Sequence, residues 1–319
     1  MIIKSADILI DSSTKIAQRF GISSFIIGIT VIAFGTSAPE LAVGIVSALN
    51  QANQLTLGNI IGSSLSNIAL IVGLSAIILP LQVKDAVLKR ELPILLITQI
   101  ILGGMLFIDG RLSRIDGLTL LGMFVLFITY IAVNARKSRR MRMVSDVYAV
   151  AGDERSVLVE EQVFDQSGFS LLKLGFASSL SLLGLFMGGK WTVDSSTLIA
   201  QSFGLSETLI GLTVVALATT MPELITSIVA ARKKQHEIVL GNCIGSSIFN
   251  IMLVLGVSST ITPISVERGL WFDFVYMLML TVIVAGMSYA QKRIKRPGGI
   301  VLLVAYIFYL VLKVISVLT

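Results

Sequence analysis

The sequence predicts an all-α membrane protein of about ten transmembrane helices, arranged as two inverted five-helix repeats. Three observations predict it: apolar runs too long for a soluble core, one strong match of the chain to itself, and basic loops gathered on one side of the resulting spans.

The apolar runs decide the class. Of 319 residues, 55% are hydrophobic and 14% charged, with a mean hydropathy of +0.89. Apolar stretches lie near residues 3–18, 24–49, 55–80, 91–108, 115–134, 169–190, 207–231, 237–261, 270–290 and 299–317. About ten spans of roughly 20 residues fit. Polar-apolar alternation at period two is absent, and small residues recur at helical spacing in Gly58/Gly62 and Gly241/Gly245, so helices are expected and a barrel is not. The net charge of +6 does not describe a nucleic-acid surface, because Lys and Arg sit in short clusters between apolar runs. One cysteine, Cys243, leaves no internal disulfide, and one histidine, His236, rules out a multi-histidine metal centre. Any cation site must use oxygen ligands. No cleavable signal peptide is read in Met1–Ser13, which is mixed in polarity.

The internal match sets the organisation. DSSTKIAQRFGISSFIIGITVIAFGTSAPEL from Asp11 aligns with DSSTLIAQSFGLSETLIGLTVVALATTMPEL from Asp194, an offset of 194 − 11 = 183. The register holds through LGNIIGSSLSNIAL and LGNCIGSSIFNIML, with about half of the aligned positions identical. Five spans per half is an odd number, so the second half must enter the membrane in the opposite sense. The loops agree: Leu49–Gln54 carries no charge, whereas its equivalent Arg232–Glu237 is basic. Met1 aligns with Gly184, so the first helix is expected to be short, either as a genuine stub or because the start lies upstream.

Loop charge gives the orientation. Arg136, Lys137, Arg139, Arg140 and Arg142 follow the fifth span and are expected in the cytoplasm. Lys84/Lys89/Arg90, Arg232/Lys233/Lys234 and Lys292/Arg293/Lys295/Arg296 fall on the same side, while Asn50–Gln54, Asp194–Glu207 and Glu267–Arg268 fall opposite. Both termini are thereby predicted outside a cell membrane. The halves are residues 1–134 and 169–319, joined by a cytoplasmic linker at 135–168 that is basic, then acidic with Asp153, Glu154, Glu160, Glu161 and Asp165. A tether is expected there, since it has no EF-hand pattern.

The chemistry lies in the repeated motifs. A carboxylate in mid-membrane costs about 2.5–3.5 kcal/mol on insertion scales, so Glu40 and Glu223 need compensation, and no neighbouring span offers a Lys or Arg. Pro39 and Pro222 precede them and supply no N–H, which frees the carbonyls of Gly35 and Ala218 and loosens those of Thr36 and Thr219. A helix break beside a carboxylate makes hard oxygen ligands of the kind Ca2+ and Na+ take. On the following span, Asn59, Ser63 and Asn67 share one helix face, as do Asn242, Ser246 and Asn250. Ser63, Asn67, Ser246 and Asn250 are candidate ligands, each stripe being expected beside the opposite break. Asn59 and Asn242 fit helix-helix hydrogen bonding equally well. Asp11 and Asp194 are read as residues near span ends that orient the chain, and Cys243 as packing.

Through GTSAPE and GNIIGSSLSNI in the first half and ATTMPE and GNCIGSSIFNI in the second, the chain resembles the Ca2+/cation antiporter superfamily, specifically the prokaryotic Na+/Ca2+ exchangers. The resemblance covers nearly the whole chain. It implies ten helices in inverted halves, alternating access, and adjacent Na+ and Ca2+ sites at the midplane. Carried over by position, it implies that Glu40 and Glu223 are carboxylates shared by both ions, that Thr36 and Thr219 add oxygens, and that Ser37, Thr220, Ser63 and Ser246 complete flanking Na+ sites. Asn67 and Asn250 stand where some exchangers carry an aspartate in the second repeat. Ca2+ and Na+ are substrates, and no cofactor, nucleic acid or obligate protein partner is expected besides the lipid bilayer.

The expected function is therefore antiport of Ca2+ against Na+, with exchange of Ca2+ for H+ or another cation as the alternative. A channel would need a continuous pore, usually built by several subunits around one axis. An intramembrane enzyme would need histidine ligands or a nucleophile-base pair, and neither is present.

Overall fold

Long apolar segments satisfy their backbone polar groups inside a bilayer by forming helices. The computed structural model describes residues 2–51, 53–152, 171–202, 214–266 and 269–318, and they are helical over most of their length. Seven of the described helices are long and apolar enough to cross a membrane: α4 (Leu55–Ile78), α5 (Val87–Ile108), α6 (Arg114–Gly152, apolar to Arg136), α7 (Leu171–Ser202, apolar to Thr192), α10 (His236–Ile261), α11 (Leu270–Gln291) and α12 (Arg296–Leu318). An eighth crossing is made by two pieces bent 43° apart, α2 (Ser24–Thr36) and α3 (Ala38–Leu49).

The two other expected spans fare differently. α1 (Ile2–Phe20) is a helix, but Lys4, Asp7, Asp11, Lys15 and Arg19 make it amphipathic. It runs antiparallel to the first part of α7: Ser178 donates to Ser12 Oγ at 2.8 Å, and Gly188 lies against Ile2. Of the stretch at 207–231, the described part is a π-helical pair at 214–215, α8 (Ala216–Thr219) and α9 (Met221–Arg232); the rest lies outside the described residues.

One reading is corrected. Asp11 lies in the middle of α1, where it and Asp7 both pair with Lys233 at 2.7 Å. In the 135–168 linker α6 continues as helix through Gly152; residues 153–168, with the acidic cluster, lie outside the described residues.

Burial separates core from periphery. α10 is 94% buried and α4 is 83% buried, against 17% for α6 and 22% for α12. Exposed Val125, Leu126, Ile307 and Phe308 on the outer pair would be an anomaly in water and suit hydrocarbon.

Contacts tie the two halves of the sequence to each other. Gly73 of α4 meets Gly299 of α12 so closely that a Cβ on either would fall 2.9 or 2.6 Å from the other's carbonyl oxygen. Gly256 of α10 meets Gly117 of α6 in the same way, at 3.2 and 2.8 Å. Small residues let these backbones touch, which is how membrane helices gain packing energy. The pairs correspond, with 256 − 73 = 183 and 299 − 117 = 182; a π-helical turn at Val87–Glu91 in α5 takes up the odd residue.

Four two-residue strands repeat the exchange. β1 (Leu81–Gln82) pairs antiparallel with β4 (Arg293–Ile294), and β2 (Arg111–Leu112) with β3 (Ile264–Ser265). Beside the first pair, Lys292 binds Asp85 at 2.8 Å and Lys84 binds Glu237, whose Oε2 accepts the Phe25 N–H at 3.2 Å. The hydrogen bond and charge of Lys292 hold the Asp85 carboxyl below its usual range. Its contribution is therefore present above the ordinary carboxylate pKa and is lost as pH falls through the depressed one.

Candidate cation site

The site is built by two breaks. Pro39 and Pro222 stand in the first turns of α3 and α9, where a missing N–H costs nothing, and the preceding turns cannot continue unbroken through them. Ser37 (φ −82°, ψ 7°) and Thr220 (φ −78°, ψ −3°) sit at the joints in the bridge region of backbone space. The ladder restarts at once, with Leu41 N–H donating to Ser37 O at 3.1 Å and Leu224 N–H to Thr220 O at 2.9 Å. Glu40 and Glu223 thus fall in the first turn of a new helix, the end whose free N–H groups favour an anion.

Both glutamates are 0% exposed, and among the described residues neither pairs with a Lys or Arg. What surrounds them is hydroxyl and amide. Ser37 donates to Glu223 Oε1 at 3.1 Å, and Ser246 donates to the same oxygen at 3.4 Å. Ser63 donates to Glu40 Oε1 at 3.4 Å, and Thr220 donates to Ser63 at 3.1 Å. Thr36 and Thr219 each donate at 3.1 Å to an asparagine of the opposite half, Asn242 Oδ1 and Asn59 Oδ1. Oε2 of each glutamate accepts no hydrogen bond from the described residues.

Eight of the ten predicted residues are thereby hydrogen-bonded in two clusters, Thr36, Ser37, Glu223 and Ser246 around one carboxylate and Glu40, Ser63, Thr219 and Thr220 around the other. The other two, Asn67 and Asn250, are fully buried, and their amide groups hydrogen-bond to nothing among the described residues. Each sits at the start of a π-helical stretch, Ser66–Ile71 and Asn250–Leu255, a distortion frequent at functional sites. The expected placement of the stripes needs one refinement. Ser63 and Ser246 bind the glutamate of their own half, whereas the contacts of these stripes across the halves go to threonines, Asn242 to Thr36, Asn59 to Thr219, and Ser63 to Thr219 at 3.3 Å and Thr220 at 3.1 Å.

Close approach makes this geometry available. A Cβ on Gly241 would lie 2.7 Å from Phe25 O, and one on Gly245 2.9 Å from the Ile29 Cα and O, so α10 lies directly on the backbone of α2. By the repeat offset, Gly58 and Gly62 would face 208–212, outside the described residues. Gly189 of α7 lies against both prolines, with a built Cβ 3.1 Å from Pro39 Cγ and from Pro222 Cγ.

Several buried polar residues escaped the sequence reading. Asp273 is wholly buried and held by Lys313 at 2.7 Å and by the Tyr309 hydroxyl at 2.9 Å. Gln99 is buried in α5 with neither amide atom hydrogen-bonded to the described residues. Ser227 receives a hydrogen bond from Asn242. The counterparts of Gln99 and Ser227, Thr281 and Gly44, differ in type, so no repeated motif marked them, while at the 182 offset Asp273 aligns with the buried Glu91.

Carboxylates and hydroxyls gathered at broken helices in an apolar helical bundle define a multi-pass membrane transporter. The sequence pattern of the family described as sodium/calcium exchanger protein matches residues 1–133 and 174–315. The Inner membrane protein YrbG of Escherichia coli (strain K12) is 35% identical, over 97% of this chain and 92% of its own length. The Sodium/calcium exchanger MaX1 of Methanosarcina acetivorans is 31% identical, over 97% and 94%. Among solved structures, the sodium-calcium exchanger NCX_Mj soaked with 2.5 mM Na+ and 0.1 mM Ca2+ superposes with a TM-score of 0.77 at 28% identity, covering 96% of this chain and 92% of that one. The chain belongs to the sodium/calcium exchanger protein family. It is a cation/Ca2+ antiporter and not an enzyme.

Proposed function

We propose that the chain exchanges Ca2+ for Na+ across the cell membrane by alternating access, with the cations bound at Glu40 and Glu223. The carrying observation is the pair of fully buried carboxylates that, among the described residues, have no cationic side chain beside them and each keep one oxygen unengaged. Two buried negative charges are costly to move through hydrocarbon. One Ca2+ or several Na+ would neutralise them, and that requirement makes the protein an exchanger rather than a leak.

Thr36, Thr219, Ser37, Thr220, Ser63, Ser246, Asn67 and Asn250 complete the proposed ligand set. The same proposal includes ten spans in two inverted halves, residues 1–134 and 169–319, with the 135–168 linker in the cytoplasm and both termini outside. The paired glycine contacts and exchanged strands support the repeat. Proton exchange is the second reading, since protons would neutralise the same two carboxylates.

Vesicles containing the purified protein test this. Ca2+ uptake is expected under an outward Na+ gradient and not under a pH gradient alone. Flux driven only by pH would move the assignment to a proton exchanger, and flux with neither gradient nor trans-cation would overturn the carrier reading.

Charge counting gives a further test. Two glutamates balance one Ca2+ but leave three Na+ with a surplus of one, because Asn67 and Asn250 are neutral. Asn250→Asp would add a negative charge, and is expected to change Na+ affinity or the Na+:Ca2+ ratio read from the reversal potential. An unchanged Na+ dependence would remove Asn250 from the site.

A further inference from the structure

A hydroxyl oxygen can turn its lone pairs to a cation only if its O–H points elsewhere. Thr36 and Thr219 each have a side-chain acceptor for that proton in the opposite half, Asn242 Oδ1 and Asn59 Oδ1, both at 3.1 Å, beside the backbone oxygens of Ala33 at 3.3 Å and Ala216 at 3.1 Å. The asparagines therefore stand behind the proposed ligands. They are not equally held. Asn242 Nδ2 donates to Ser227 Oγ at 3.0 Å and to the backbone oxygen of Glu223 at 3.4 Å, so its amide is used at both ends. Asn59 Nδ2 donates to nothing among the described residues.

The difference has a packing cause. Ser227 corresponds to Gly44, since 227 − 183 = 44. A side chain there would crowd its neighbours: a Cβ would lie 2.7 Å from Val254 Cγ1 and 2.8 Å from Ser258 Oγ, and those side chains would have to shift. Ser227 is itself fully buried, and its hydroxyl has Cys243 Sγ at 3.9 Å as a second partner; Cys243 in turn corresponds to Ile60. The cluster Ser227, Asn242 and Cys243 thus occurs in one half alone.

We propose that Asn59 and Asn242 are positioning residues for the threonine ligands, and that Ser227 locks only Asn242, so the Thr36/Glu223 half of the site is pre-organised and the Thr219/Glu40 half is not. This rests on the reading of Glu40 and Glu223 as the cation site. Neither asparagine needs to touch an ion. Pre-organisation lowers the ordering cost of binding, and its loss weakens affinity without changing the groups that bind.

The test is Ser227→Ala, with Ser227→Thr to return the hydroxyl, in reconstituted vesicles and in thermal melting with CaCl2 or NaCl. Loss of one neutral hydrogen bond predicts a rise of about three- to tenfold in half-saturating Ca2+ or Na+. Maximal flux and the ion-free melting temperature should stay near wild type, and the cation-induced rise in melting temperature should shrink. Ser227→Thr should recover the affinity. Half-saturation within twofold of wild type in Ser227→Ala overturns the proposal, as does a lower ion-free melting temperature with unchanged half-saturation, the mark of a purely structural serine. Asn242→Ala should weaken binding more than Asn59→Ala, and the reverse order also overturns it. Glu223→Gln run alongside separates the two levels. If it keeps wild-type half-saturation, the site assignment itself has failed.

Discussion

Glu40→Gln and Glu223→Gln are each expected to abolish Ca2+ flux while the protein still inserts and folds. The substitution keeps volume and the Oε1 acceptor for Ser63, or for Ser37 and Ser246, so the local network can persist. It removes one of only two negative charges in the site and turns one oxygen into a donor, which repels a cation. The loss should exceed the roughly 10–100-fold that removing an outer-shell partner costs a metal site. Neutral Gln should also make insertion no more expensive, since a mid-membrane charge costs about 2.5–3.5 kcal/mol. Flux is measured in vesicles and folding by monodispersity in detergent. Near-normal flux from either variant would refute the site.

Gly245→Val is expected to fail for a different reason. The atoms in its way are the Ile29 Cα and carbonyl oxygen at 2.9 Å and Ala33 Cβ at 2.8 Å, which cannot swing aside as a long side chain would. Forcing α10 off α2 would carry Asn242 away from Thr36 and Ser246 away from Ser37's partner Glu223. Overpacking costs about 1–3 kcal/mol in a core that can adjust, and an immovable backbone belongs at the upper end or beyond. A loss of folded yield or of flux of at least about tenfold follows, since about 1.4 kcal/mol is tenfold. Gly104→Ala and Gly286→Ala are the matched controls, because a Cβ at either meets nothing within 4 Å. Equal behaviour of Gly245→Val and these controls would show that the close contact is not required.

Much of the site could be read in advance because its chemistry is local and repeated. Pro-Glu pairs announce a break and a charge within a few residues, and Asn59, Ser63 and Asn67 share a face through helical spacing alone. Which hydroxyl serves which carboxylate could not be read. Ser37 lies three residues from Glu40 yet bonds Glu223, 186 positions away. Thr220, its counterpart, lies instead against Ser63 and the backbone oxygen of Ala216. Nor did any pattern announce the Asp273–Lys313 pair, whose partners lie on different helices and of which Lys313 has no basic counterpart in the first half.

By itself the sequence determined the class, the helical breaks and the residue types of the site, because bilayer thickness, proline geometry and the cost of a buried charge act on short segments. It predicts two repeated halves as well, through a register that 183 residues separate. Only the tertiary structure decided that Gly73 sits on Gly299 and Gly256 on Gly117, and that Asn242 is braced by Ser227 while Asn59 is not. Those outcomes depend on how closely two distant backbones approach. Gly44 is free of a side chain because Val254 and Ser258 already fill the space, a fact of packing that no spacing within either half contains.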